Sequence, residues 1–183
     1  LRGVRAHPGA WWRRLMARPP RLPQLGPSFF DAETPETAAP AKAGTPRRLI
    51  VRADGGSRGN PGPAAYGALV YDADTGELLN CEGRALGVAS NNVAEYSGLI
   101  AGLEMARAID PGCELEVRLD SKLVVEQMAG RWRVKHPDMK PLALKAQSLR
   151  PPKVRWTWVP RAENKAADAL VNRALDGDPV PRT

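Results

Sequence analysis

Leu49-Ile-Val-Arg-Ala-Asp54-Gly-Gly-Ser-Arg-Gly-Asn60-Pro-Gly-Pro-Ala-Ala-Tyr-Gly67 is the stretch on which the reading of this chain turns. An apolar run, Leu49–Asp54, halts at an acid and two glycines, as a buried strand does where it meets a turn. A Gly/Asn/Pro cluster follows, and then a second apolar run, Ala65–Tyr71. A further run, Leu78–Leu86, comes after the turn sequence Asp72-Ala-Asp-Thr-Gly76. Three strands this close in sequence predict an antiparallel meander.

Downstream, Ser90 and Asn91 offer a helix N-cap. Tyr96, Leu99, Ile100, Leu103 and Ile109 keep helical spacing as far as Pro111. Gly98 and Gly102, one turn apart, leave that helix bare enough to approach a neighbour closely. Glu114–Leu119 alternates charged and apolar residues and predicts a fourth strand, with a short helix over Ser121–Ala129. Residues 130–152 form a basic connection punctuated by Trp and Pro, with a helix expected at Leu142–Leu149. Val154, Trp156 and Trp158 alternate as a last strand, both tryptophans expected in the core, and Glu163–Leu175 is the last helix. The order β-β-β-α-β-α-α-β-α predicts an α/β fold, a mixed five-stranded sheet flanked by helices.

Residues 1–47 read as a basic, Pro-rich disordered arm, residues 48–176 as one domain, and residues 177–183 as a flexible tail. Residues 1–48 carry nine Arg or Lys against three Asp or Glu. The overall charge of +7 is therefore mostly a property of the arm and says little about the domain. Cys81 and Cys113 lie far apart without metal-ligand spacing and read as reduced thiols, which fits a cytoplasmic location. No apolar run approaches the ~18 residues that span a bilayer, so no membrane partner is expected.

Four carboxylates occupy telling places: Asp54 at the end of the first strand, Asp120 at the end of the fourth, Glu95 in the first turn of the long helix, and Asp168 inside the last. Singly, each has an ordinary explanation as a cap or a solvated turn. Asp168 resists it best, because Asp is a poor helix former in an Ala-rich helix interior. Together they suit phosphodiester hydrolysis by two Mg²⁺ ions about 3.5–4 Å apart, one activating water and one stabilising the leaving oxygen. Mg²⁺ prefers oxygen ligands and keeps several waters, so few carboxylates suffice. No catalytic histidine is needed: His7 is in the arm and His136 is expected on the surface of the connection.

These residues fall into four motifs. Asp54-Gly-Gly-Ser-Arg-Gly-Asn60-Pro-Gly-Pro-Ala-Ala-Tyr-Gly67, Ser90-Asn91-Asn92-Val-Ala-Glu95-Tyr, Leu119-Asp120-Ser-Lys122 and Trp158-Val-Pro-Arg161-Ala-Glu-Asn164-Lys-Ala-Ala-Asp168 resemble, in order, the signatures of type 1 ribonucleases H. The likeness covers about residues 48–175 and is nearest to a short subgroup found as the nuclease domain of actinobacterial bifunctional ribonuclease H/acid phosphatase proteins. No phosphatase is expected within these residues. The resemblance implies the ribonuclease H-like fold and hydrolysis of the RNA strand of RNA–DNA hybrids, leaving 5′-phosphate and 3′-hydroxyl ends. It also implies a catalytic and metal-binding set of Asp54, Glu95, Asp120 and Asp168 and two Mg²⁺ ions with Mn²⁺ as a substitute; a monomer is expected, and double-stranded RNA as a second substrate stays open.

RNA is told from DNA by its 2′-hydroxyl, reached through the wide minor groove with neutral donors and acceptors. By resemblance Asn60, Asn91 and Asn92 serve that role, and Ser90 touches a DNA phosphate; Lys122, Arg161 and Asn164 complete the expected substrate contacts. For the asparagines and Ser90, turn and cap chemistry is the competing reading. The spacing sets Asn91 with Glu95, and Asn164 with Asp168, each pair on one helical face.

Two departures from the family pattern stand out. Many members carry a loop histidine before the last helix; here Arg161 is the nearest substitute, and an Arg cannot shuttle protons near pH 7. It reads as an electrostatic group, a phosphate contact or a solvated helix start. Many members also carry a basic helical protrusion, of which Arg131-Trp-Arg-Val-Lys135 with Lys140 is a shortened counterpart, unless Trp132 simply packs. Two other readings stay open: a binding module for hybrids or double-stranded RNA without catalysis, and the nuclease half of a bifunctional protein. All four acids are intact, which weighs against the first.

Overall fold

Residues 46–180 are described by the structure, a computed structural model. The expected arm, save its last two residues, and positions 181–183 of the expected tail lie outside the described residues. The strands are β1 (Arg48–Ser57), β2 (Gly62–Asp72), β3 (Leu78–Ala89), β4 (Glu114–Leu119) and β5 (Lys153–Trp158). The helices are α1 (Asn91–Ile109), α2 (Lys122–Met128), α3 (Met139–Leu149) and α4 (Lys165–Leu175), the last preceded by a 3₁₀ turn over Arg161–Glu163.

The sheet order is β3-β2-β1-β4-β5. β2 is antiparallel to both β1 and β3, whereas β4 runs parallel to β1 and β5. The expected mixed five-stranded sheet is thus present, with β1 at its centre. Successive side chains of a strand point to opposite faces, and β1 serves two cores accordingly. Leu49, Val51 and Ala53 join Tyr66, Ala68 and Val70 beneath α1, with α2 and α3 closing the same layer. Ile50 joins Leu69, Tyr71 and Cys81 against Ala167 and Leu170 of α4. Full burial of each such aliphatic side chain contributes about 1.5–3 kcal/mol.

β1 continues three residues beyond Asp54, although Gly55 and Gly56 read as turn residues. Their absent side chains serve packing instead. A Cβ on Gly55 would lie 2.1 Å from Ala94 C and Glu95 N of α1. One on Gly98 of α1 would lie 2.8 Å from the Asp54 carbonyl oxygen, and one on Gly102 would lie 2.5 Å from Val51 Cγ1. The close approach expected of Gly98 and Gly102 is therefore realised, and it sets α1 directly on the end of β1. On the opposite face, a Cβ on Gly67, the partner of Asp54 in the ladder, would lie 2.5 Å from Ala167 O of α4. Two helices thus clamp one point of the sheet.

Three further differences have local causes. Helix α3 begins at Met139, because Pro141 sits in its first turn, where no intrahelical N–H partner is lost. Helix α4 begins at Lys165, so Asp168 lies in its first turn, a place that favours an acid rather than resisting one. Trp158 is 49% exposed, not core, because β5 is an edge strand and its last residue runs past the helical layer, whereas Trp156 does pack against the core. Packing also continues beyond Asp176: Arg173 Nη2 donates to Pro179 O at 2.9 Å, and Val180 lies against Gly83. Cys81 and Cys113 are both buried. Among the described residues, no helix is long and apolar enough to cross a membrane.

Gly55→Ala is predicted to destabilise the protein by about 1–3 kcal/mol, the range for overpacking a close contact. Urea denaturation of the two proteins checks this; an unchanged midpoint would show that α1 can yield at no cost.

Candidate active site

Ser90 follows β3 directly and caps the start of α1. Its backbone is extended, and its Oγ accepts the Val93 N–H at 3.4 Å, which is N-cap geometry. The helix so started at Asn91 brings Glu95, in its second turn rather than the expected first, over the Gly55 backbone. β1 and β4, adjacent and parallel, pair as far as Ala53 and Leu119, so Asp54 and Asp120 follow side by side where that pairing ends. Asp54, Glu95 and Asp120 consequently offer carboxylate oxygens within 4.8 Å of one another. Asp54 and Glu95 are buried, and Asp120 is partly exposed, so the cluster has one open side.

The electrostatics follow from that crowding. Burial, then the Asp120 and Asp168 charges, push the Asp54 carboxyl up to about 7, with Arg161 opposing. Burial, then Asp54 and Asp120, push Glu95 up to about 9. Glu95 Oε2 is buried without a hydrogen-bond partner among the described residues. An oxygen-rich, electron-rich site with an unsatisfied carboxylate oxygen fits a hard divalent cation such as Mg²⁺, whose charge would replace the missing hydrogen bond and offset the repulsion.

Asp168, the fourth expected acid, is close enough to raise Asp54 but is not among the three converging carboxylates. Its Oδ1 accepts from Arg161 Nη2 at 2.6 Å, and its Oδ2 accepts from Asn172 Nδ2 at 3.0 Å. Arg161, otherwise 77% exposed, thus folds back onto the acid. Asn172 was not foreseen; its place one helical turn after Asp168, on the same face, was the available signal.

The expected substrate residues divide. Asn60, Ser90, Asn91 and Asn92 gather at the start of α1, where Asn60 Oδ1 accepts the Asn91 N–H at 3.2 Å. Turn and cap chemistry is therefore present at Asn60 and Ser90. Lys122 is exposed at the first residue of α2. Asn164 departs from expectation: it is fully buried, and its Nδ2 donates to Ala53 O at 2.8 Å and to Asp120 Oδ1 at 2.7 Å. It presents no amide to solvent, because the 3₁₀ turn before α4 rotates it beneath the acids. Trp158, read as core, instead donates its Nε1–H to Asp120 O at 3.0 Å. In the connection, Trp132 is 47% exposed among the exposed Arg131, Arg133, Lys135 and Lys140. His136 is on the surface, as expected.

A family model described as Reverse transcriptase-like matches residues 52–174. Among curated proteins, the bifunctional protein Rv2228c of Mycobacterium tuberculosis is 53% identical over 131 residues, which is 70% of this chain and 36% of that protein. The chain thus spans about a third of the length of this relative. The solved N-terminal RNase H domain of Rv2228c superposes with a TM-score of 0.69 at 53% identity, covering 72% of this chain and 95% of that one. RNase H1 of Halobacterium salinarum gives 0.67 at 42% identity, covering 71% and 98%. LC11-RNase H1, crystallised with an RNA/DNA hybrid, gives 0.67 at 38% identity, covering 71% and 98%.

The raised Asp54 and Glu95 carboxyls have a consequence for stability. Their folded-state values lie above the unfolded ones, so stability is fully present below about pH 4, is lost through about 7 as Asp54 ionises, and falls further toward about 9. Without metal, Asp54→Asn is predicted to melt above the wild type at pH 8, by roughly 5 °C, with the gap narrowing at pH 5. Calorimetry with chelator checks this; a variant that melts lower at pH 8 would refute the repulsion.

Proposed function

Because the chain belongs to the type 1 ribonuclease H family, we propose that it is an endonuclease hydrolysing the RNA strand of RNA–DNA hybrids with two Mg²⁺ ions, Mn²⁺ substituting, and leaving 5′-phosphate and 3′-hydroxyl ends. The observation that carries this reading is the convergence of Asp54, Glu95 and Asp120 within 4.8 Å, open on one side. The hybrid bound to the LC11 relative supports the choice of substrate.

In this reading Asp54, Glu95 and Asp120 hold metal, and Asp168 contributes once Arg161 releases it. When bound, divalent ions lower the pKa of water and offset negative charge on the leaving oxygen. The chain's own residues do the rest. Asn60, Asn91 and Asn92 meet the RNA 2′-hydroxyls from the minor groove with neutral groups. Ser90, at the start of α1, receives a DNA phosphate, for which the positive end of a helix dipole is suited. Lys122 faces a backbone phosphate, and Trp132 with its neighbouring cations grips the duplex. Arg161 keeps its charge at every working pH, so its part is electrostatic: it occupies Asp168 in the resting site and moves to phosphate when substrate arrives. One chain supplies the whole cluster, which fits a monomeric enzyme.

End-labelled RNA–DNA, RNA–RNA and DNA–DNA duplexes, each with Mg²⁺, Mn²⁺ or chelator, test the proposal. The expected result is metal-dependent cutting of the RNA strand of the hybrid with DNA–DNA untouched; the RNA–RNA lane sets the breadth. Tight hybrid binding without cutting under either metal would leave a binding module instead. Asp120→Asn should abolish cleavage while keeping hybrid binding, since the Asn164 amide retains an acceptor. Normal cutting by that variant would overturn the metal assignment. Arg161→Ala should slow turnover by a smaller factor, measured at saturating hybrid, and complete loss would give Arg161 a larger part.

A further inference from the structure

The fourth motif, Trp158 to Asp168, supplies one expected acid, yet its most buried polar side chain faces a different one. Asn164 is fully buried at the start of α4, and its two amide hydrogens go to Ala53 O and Asp120 Oδ1. Ala53 immediately precedes Asp54 on β1. A single amide therefore ties the start of the Asp168 helix to the strand ends that carry Asp54 and Asp120. Its orientation follows from chemistry: both neighbours are acceptors, so only the NH₂ can face them. The amide oxygen is buried without a hydrogen-bond partner among the described residues. An unsatisfied buried acceptor costs about 1–3 kcal/mol, so the place retains a group with two donors at the expense of its acceptor.

We propose that Asn164 is a positioning residue, which fixes the Asp120 carboxylate for metal through the Asn164 Nδ2–Asp120 Oδ1 hydrogen bond and holds β1 and β4 in register at the site. The inference rests on the metal-site reading above. A neutral donor is the apt choice. It restricts the carboxylate rotor and leaves its full negative charge for the cation, whereas Lys or Arg would compete with the ion, as Arg161 does at Asp168. With Oδ1 held, Asp120 Oδ2 and the second lone pair of Oδ1 remain for a ligand. Trp158 acts on the same residue from behind, its Nε1–H holding the Asp120 carbonyl at 3.0 Å. The Val159 N–H bonds Leu119 O at 2.9 Å, so the motif grips Asp120 by main chain and side chain together.

The test is a double-mutant cycle on Mn²⁺ affinity, read by electron paramagnetic resonance on the full chain without nucleic acid. Asn164→Ala, Asp120→Ala and the double variant are compared with wild type, and a melting curve reports the folding of each. Asn164→Ala is expected to weaken Mn²⁺ binding roughly 10–100-fold, the range for losing a hydrogen-bonded partner of a metal ligand. In the Asp120→Ala background it should have no further effect, because it acts through Asp120. Hybrid KM should stay near wild type while kcat falls. Equal Mn²⁺ affinity in Asn164→Ala and wild type, or full additivity with Asp120→Ala, overturns the inference while leaving the metal site standing. Wild type that binds no Mn²⁺, or binds it undiminished after Asp120→Ala, overturns both. Should Asn164→Ala not fold, Asn164→Ser, with one donor for two acceptors, carries the same cycle.

Discussion

Three carboxylates held within 4.8 Å of one another repel, and folding has to overcome that repulsion before any ligand arrives. At an effective dielectric near 20, each fully charged pair at that distance would cost about 3 kcal/mol. The protein lowers this penalty by keeping protons: Asp54 is pushed up to about 7 and Glu95 to about 9. What remains must be met by packing elsewhere. A site of this kind trades stability for affinity.

The surrounding fold can be read as the means of holding those acids in place. Gly55 and Gly98 bring the α1 backbone onto β1, so that Glu95 reaches Asp54. Parallel pairing of β1 with β4 sets Asp54 and Asp120 side by side just past its last pair, Ala53 and Leu119. Helix α4 leans on Gly67 from the other face and brings Asn164 and Asp168 with it. Each device depends on backbone or neutral groups, which adds no charge to the cluster. Arg161 is the exception. It lies at the solvent edge, where its bond to Asp168 is screened and exchangeable.

Much of this was legible in the chain. The acids stand where apolar runs stop or helices begin, and Gly98 and Gly102 announced a close helix contact. β4 was read to its residue limits, because strict alternation of charge and apolarity has few other interpretations. Other readings failed for identifiable reasons. Gly55 and Gly56 look like a turn to any local rule, and their use as strand glycines depends on distant helices, α1 at Ala94 for Gly55 and α4 at Val171 for Gly56. Trp158 alternates with Val154 and Trp156 and was placed with them in the core; only its position at the end of an edge strand exposes it. Asn164 has the spacing of a residue facing the same way as Asp168, yet a 3₁₀ turn before the helix sends it inward.

By itself, then, the sequence determined the elements and their order, because periodicity and capping are properties of neighbouring residues. The tertiary structure decided which acids meet, which one is turned aside by Arg161, and which polar groups face inward to hold them. Those outcomes depend on strand register, helix approach distance and the cover given to each sheet face. They are set by contacts between residues far apart in the chain, which local pattern does not encode.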